Sequence, residues 1–148
     1  MDEVLIDTNI LIYAHQPEER FKHERSIEII DSLVSSGRAR LSAQILGEFI
    51  SATTRGPRPI LRIEDALAQL SFFVSSVPVL DLTAFIIMEA ARGLREYQLS
   101  YFDAQIWATA RLNQIETIFT EDFTSGRRLE GVRFMNPFLP DFEISSWA

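Results

Sequence analysis

Five short apolar runs rich in β-branched or aromatic residues are spaced along the chain. They are VLI at 4–6, ARLSA at 39–43, VPVLDL at 77–82, TIFTE at 117–121 and VRFMNPF at 132–138. Longer stretches with helical spacing lie between them. In FKHERSIEIIDSLVSSG the apolar residues fall at 27, 30, 33 and 34, and the pattern stops at Gly37, a helix-end signal. LSAQILGEFISA, RIEDALAQLSFFVSS, TAFIIMEAARGLREY and LSYFDAQIWATA also have helical length or spacing. Strands alternating with helices require crossover connections, so the expected fold class is α/β, a parallel sheet covered by helices on both faces. No internal repeat or low-complexity segment interrupts the pattern. The proline-bearing RGPRPILR (55–62) breaks two helices but is too short and too central to divide the chain. A single domain over residues 1–148 is expected.

Composition sharpens this picture. The 148 residues are 47% hydrophobic and 24% charged, and a domain of this size buries roughly 70% of the surface its unfolded chain exposes. There is no cysteine, which excludes disulfides and thiolate metal sites and fits a reducing compartment. No apolar run approaches the ~20 residues of a membrane span, and MDEVLID lacks a basic leader segment. A soluble, cytoplasmic protein is expected. The formal charge is −7, and Lys22 is the one lysine among the 14 basic residues. Such acidity opposes nonspecific binding to a polyanion. It leaves room for an enzyme of nucleic acids, because metal ions neutralise an acidic pocket and arginines can line its rim.

The candidate chemistry lies in four acids. Asp7 follows the first strand in VLIDTNILIYA, where Asp7, Thr8 and Asn9 interrupt an oily run. In open parallel sheets ligands collect beyond the carboxyl ends of strands, so Asp7 should face that crevice. Asp122 ends TIFTED, two residues after Thr120. Asp103 opens the helix of LSYFDAQIWATA, in line with Ile106, Trp107 and Ala110. Glu48 flanks a face made by Ile45, Phe49 and Ala52. Each acid also has a plainer reading. Asp7 could cap the next helix at ~1 kcal/mol, Asp103 could complement a helix dipole, Asp122 could be a turn residue, and Glu48 could be an exposed flank. Glu121 adjoins Asp122, and a one-residue shift would exchange which of the two faces the crevice.

Convergence of the four would restrict their purpose. Carboxylates a few ångströms apart repel, so they share protons or bind a cation. An all-oxygen donor set selects hard ions such as Mg²⁺ or Mn²⁺, one or two of them, and favours phosphoryl chemistry. His15 and His23 read as helix or loop residues rather than ligands. Ser100 and Tyr101 have no histidine partner that would suggest acyl transfer, and the six glycines are too scattered for a phosphate loop. Arg55, Arg58 and Arg62, with Arg127 and Arg128, are candidates to grip a nucleic-acid backbone.

With these residues in hand, the chain resembles the PIN-domain ribonucleases, in particular the VapC-type toxins of prokaryotic toxin–antitoxin pairs. LIDTNILIYA is similar to the family's first strand and first acid, SAQILGEF to its glutamate-bearing helix, LSYFDAQIWATA to its third-acid helix and FTEDF to its Thr-x-Asp element. The resemblance implies a parallel-sheet α/β/α sandwich and Mg²⁺- or Mn²⁺-dependent endonucleolytic cleavage of single-stranded or looped RNA. Asp7, Glu48 and Asp103 would be central ligands, Asp122 would complete the pocket, and Asn9 and Thr120 would support it. It also implies a homodimer and a small antitoxin partner. A housekeeping PIN nuclease in RNA processing shares these acids. A phospho-accepting receiver domain also places acids around Mg²⁺, but it needs an acid pair after the first strand and a late lysine. Here Thr8 follows Asp7, and Lys22 lies early.

Overall fold

The computed structural model describes residues 2–147. Its sheet has six strands in the order β3-β2-β1-β4-β6-β5. These are β1 (Val4–Ile6), β2 (Ala39–Ser42), β3 (Val79–Leu80), β4 (Thr117–Phe119), β5 (Arg128–Leu129) and β6 (Val132–Met135). All pairings are parallel except the β5–β6 hairpin. The helices are α1 (Thr8–Tyr13), α2 (Arg20–Ser35), α3 (Ala43–Thr54), α4 (Ile63–Ser76), α5 (Ala84–Tyr97) and α6 (Tyr101–Leu112), with a 3₁₀ turn at Ile144–Ser146.

β1 and β4 are buried along their whole length, as expected of central strands covered on both faces, and so they read as unbroken apolar runs rather than alternating ones. The order dictates the layers. Crossovers from β1 to β2 and from β2 to β3 step in one direction, whereas the connection from β3 to β4 returns past β1. Right-handed crossovers therefore set α1–α4 on one face and α5–α6 on the other. The packing agrees: α1 meets α2 and α3, α3 meets α4, and α5 lies along α6, which rests on β4 and β6. The α/β sandwich and its parallel sheet are as the sequence pattern predicts. The core joins Leu5, Ile10, Leu11, Phe49, Trp107, Phe119 and Phe134, all fully buried. Beyond β6, Phe142 and Trp147 set their rings edge-on against Phe119 at 5.3 and 5.0 Å.

Three elements differ from expectation. In α2 the inward stripe is Ser26, Ile29, Ile30 and Leu33, while Ile27 is exposed; the i, i+3, i+4, i+7 geometry of a helix selects this set over one containing Ile27. The third strand is two residues long rather than six, being the sheet edge with one partner. β4 stops at Phe119, so Glu121 and Asp122 lie in the bend beyond it rather than in an alternating strand.

Candidate active site

Two chains of crossovers diverge between β1 and β4, and that point defines the crevice of such a sheet. The ends of the two strands are stitched there: the Asp7 N–H donates to the Phe119 carbonyl at 3.0 Å. The residues that follow them, Asp7 and Thr120, meet directly. Thr120 Oγ1 donates to Asp7 Oδ2 at 2.7 Å, and the Asp122 N–H donates to Thr120 Oγ1 at 3.1 Å. Thr120 thereby fixes both acids from one buried hydroxyl.

A cavity of about 360 Å³ opens at this point, and Asp7, Glu48, Asp103 and Asp122 all line it. Each arrives from a different element. Asp7 leaves β1, Glu48 projects from the middle of α3, Asp103 sits in the first turn of α6, and Asp122 follows β4. α3 is launched by Ser42, whose hydroxyl caps the Ile45 N–H at 3.2 Å. α6 is anchored by burial on nearly every side from Ala104 to Ala110, which holds the exposed first turn at the cavity.

Hydrogen bonds orient the carboxylates. Glu48 accepts from Thr8 Oγ1 at 3.1 Å and from Gln44 Nε2 at 2.7 Å. Gln44 in turn accepts from Gln105 Nε2 at 2.8 Å, so a chain of amides runs from α6 to α3. Asn9 Nδ2 donates to Asp122 Oδ2 at 3.3 Å, and its other amide atom, Oδ1, is buried without a partner. The choice between the neighbouring acids is plain in the geometry. Asp122 faces the cavity, while Glu121 turns away to accept from Tyr13 Oη at 2.6 Å and Lys22 Nζ at 2.9 Å.

Asp7 as a helix cap can also be judged. Its Oδ1 accepts from the Thr8 N–H at 2.7 Å, the first helical donor, rather than from the second or third that a capping side chain normally takes. The contact is local and leaves most of the first turn to other partners.

The electrostatics are those of like charges lining one cavity, of which Asp7 is buried, Glu48 and Asp103 are half-buried and Asp122 is exposed. Asp7 is 3% exposed. Burial pushes its carboxyl up to about 7, against the hydrogen bonds from Thr120 and Thr8 and with smaller pushes from Asp122 and Glu48. Asp122 is also raised, by burial first and by the nearby Asp103 next. None of the four takes part in an ion pair among the described residues. Nor do three of them gather closely enough to hold an ion with protein donors alone. Mg²⁺ ordinarily takes one or two carboxylates and retains waters. The all-oxygen donor set therefore fits a hydrated hard cation.

Of the arginines singled out from sequence, Arg55 lines the cavity, at the end of α3. Arg58 is exposed in the loop beyond, and Arg62 pairs with Asp65 at 3.2 Å. Arg127 and Arg128 are exposed at the β5–β6 hairpin and do not line the cavity. Neither histidine lines it: His15 rests against the Phe49 ring, and His23 meets the Tyr13 carbonyl. The sequence reading missed Gln44, Gln105 and Phe102. Gln44 stands one helical turn before Glu48, a spacing that permits side-chain hydrogen bonding. Gln105 is a polar residue within an otherwise apolar helix face. Phe102 resembled any apolar neighbour of Asp103.

The fold is shared with solved toxin structures. It is similar to the DNA-bound VapBC of Salmonella typhimurium, with 22% identity, a TM-score of 0.64, and 90% of this chain and 97% of that one covered. It is similar to a toxin–antitoxin complex of Klebsiella pneumoniae, with 19% identity, a TM-score of 0.66 and coverage of 91% and 98%. It is also similar to VapC20 of Mycobacterium tuberculosis, a toxin that cleaves the sarcin–ricin loop, with 19% identity, a TM-score of 0.64 and coverage of 81% and 90%. A search of curated protein sequences finds no significant match. The family model of the PIN domain matches residues 4–125, from the first strand to just past Asp122 and so through all four acids, and the chain belongs to the PIN domain family.

Proposed function

We propose that this chain is a metal-dependent endoribonuclease whose reaction centre is Asp7, Glu48, Asp103 and Asp122, and that it serves as the toxin of a toxin–antitoxin pair. The observation that carries the reading is that four carboxylates from four elements line one cavity, none of them paired with a cation among the described residues. Membership in the PIN family sets aside the receiver reading. One or two bound Mg²⁺ or Mn²⁺ ions would supply water activation and charge neutralisation at phosphoryl oxygens. Asp7, Glu48, Asp103 and Asp122 would hold them.

The remaining residues position and exclude. Thr120 sets Asp7 and Asp122 in register, Thr8 and Gln44 orient the two oxygens of Glu48, and Asn9 steadies Asp122. Burial removes Asp7 from water and makes its interaction with a cation stronger than in solvent. Arg55 stands at the cavity wall where it can meet a phosphate oxygen. The antitoxin reading draws on the toxin–antitoxin complexes in which the similar folds are found, and the homodimer reading on the family resemblance alone. Among the described residues no helix is long and apolar enough to cross a membrane.

Purified protein incubated with RNA and Mn²⁺, with Mg²⁺ and with EDTA tests the reading. Cleavage is expected with either metal and not with EDTA, and Asp7→Asn should lower the rate by at least about 100-fold. RNA left intact by wild type, or cut equally by Asp7→Asn, overturns it. Growth arrest on expression, relieved by a small protein encoded immediately upstream, tests the toxin role.

A further inference from the structure

Of the large apolar side chains that line the acidic cavity, Ile12, Phe102 and Ile106, one is exposed. Phe102 lines it beside Asp103 yet remains 63% exposed. Its ring is met edge-on by Tyr101, with centroids 5.4 Å apart and planes at 79°, and no other aromatic ring of the described residues pairs with it. Phe85 and Met88 on α5 are more exposed still, at 75% and 69%, but neither lines the acidic cavity. Phe102 therefore presents an exposed apolar ring on the wall of the acidic cavity.

Its backbone is held more firmly than its exposure suggests. The Phe102 carbonyl accepts from Gln44 Nε2 at 3.1 Å, the same nitrogen that donates to Glu48 Oε1. One amide thus ties the attachment point of the ring to a carboxylate of the centre, and Gln105 fixes that amide from α6. On the same cavity stands Arg55. An aromatic face, a guanidinium and a cluster of carboxylates suit the three parts of a nucleotide chain: base, phosphate, and the phosphodiester that is cut.

We propose that Phe102 is a specificity-determining residue, the stacking platform for the base next to the scissile phosphate, with Arg55 contacting an adjoining phosphate. The inference rests on the endoribonuclease reading above. Every base has a π-face, so such a platform tolerates sequence. A base inside a duplex has both faces covered by its neighbours, so the platform selects an unpaired nucleotide in a loop or single strand.

Steady-state cleavage of an unstructured RNA in Mn²⁺ tests this with Phe102→Ala, Phe102→Tyr and Phe102→Trp. Phe102→Ala should raise KM roughly five- to a hundredfold, with kcat changed far less, while Tyr and Trp keep KM near wild type. Because the side chain is exposed, circular dichroism and Mn²⁺ affinity should be unchanged in all three. An RNA lacking the base beside the cleaved bond should cost the wild type a similar factor and cost Phe102→Ala little more. Wild-type cleavage with an unchanged KM in Phe102→Ala, or losses that simply multiply, overturns the platform alone. Failure of the wild type to cut any RNA overturns the endoribonuclease reading and the platform together.

Discussion

Asp7 holds two oxygens against two donors and still sits badly as a charge. Thr120 Oγ1 and the Thr8 N–H each bond it at 2.7 Å, yet burial outweighs both and raises its carboxyl to about 7 from the ordinary 3.8. The folded chain therefore keeps a proton that the unfolded chain has already released once the pH passes about 4. Stability from this group is fully present below that point and declines as pH rises through 7. Above 7 the whole cost of a buried, unpaired charge remains, up to about 4 kcal/mol for a shift of this size. Asp7→Asn removes that charge while nearly keeping the shape. In EDTA its melting temperature should exceed that of wild type by several degrees at pH 8 and by only about a third as much at pH 5. Added Mn²⁺ should raise the melting temperature of wild type at pH 8 and leave the variant nearly unmoved. Scanning calorimetry at the two pH values checks this, and a variant less stable than wild type at pH 8 would contradict it.

At the scale of elements, the site depends on how closely α5 and α6 pack. A Cβ built on Gly93 of α5 would lie 2.7 Å from Trp107 Cζ3 and 2.9 Å from Cε3. The indole cannot easily retreat, because its Nε1 donates to the Leu129 carbonyl at 3.1 Å and Tyr97 meets it edge-on at 5.7 Å. Gly93→Ala gains about 1 kcal/mol of helix propensity and loses roughly 1–3 kcal/mol to overpacking, so a net loss is expected in urea unfolding. Trp107→Phe in the same background should recover part of it, since the smaller ring vacates the contested space. None of this was legible in TAFIIMEAARGLREY, because the ring that Gly93 makes room for belongs to another helix. What was legible followed from periodicity: the central strands, the helices and the strand-end position of Asp7. What was not depended on partners distant in sequence. The β5–β6 hairpin has a two-residue strand with no run to read. Glu121 and Asp122 could not be told apart until Tyr13 and Lys22 were seen to take Glu121. Nothing in LSYFDAQIWATA sets Phe102 apart from the apolar residues around it, yet the fold leaves it exposed on the cavity.

For the molecule as a whole, a net charge of −7 has to be reconciled with a polyanionic substrate. A broad basic footprint would give steep salt dependence, since each phosphate contact by a cationic side chain on a single strand contributes about 0.7 to the slope of log K against log salt. Here Arg55 lines the cavity, whereas Arg127 and Arg128 stand at a hairpin off it. On the proposed reading, affinity comes instead from metal-bridged contacts at the carboxylates and from stacking, both of which are local. Binding of a fluorescent single-stranded RNA to a slowly cleaving Asp103→Asn variant should therefore be weak in EDTA, strengthen in Mn²⁺, and show a shallow slope against added NaCl. Arg55→Ala should lower that slope by about 0.7, and Arg127→Ala should leave it unchanged. An equal drop from Arg127→Ala would instead route the RNA across the β5–β6 hairpin, and tight binding in EDTA would remove the metal from recognition altogether. A shallow slope would fit the proposed cleavage of an unpaired segment among many duplexes. Where the phosphate backbone contributes little, discrimination falls to the base that can leave its stack and to the carboxylates that receive the bond beside it.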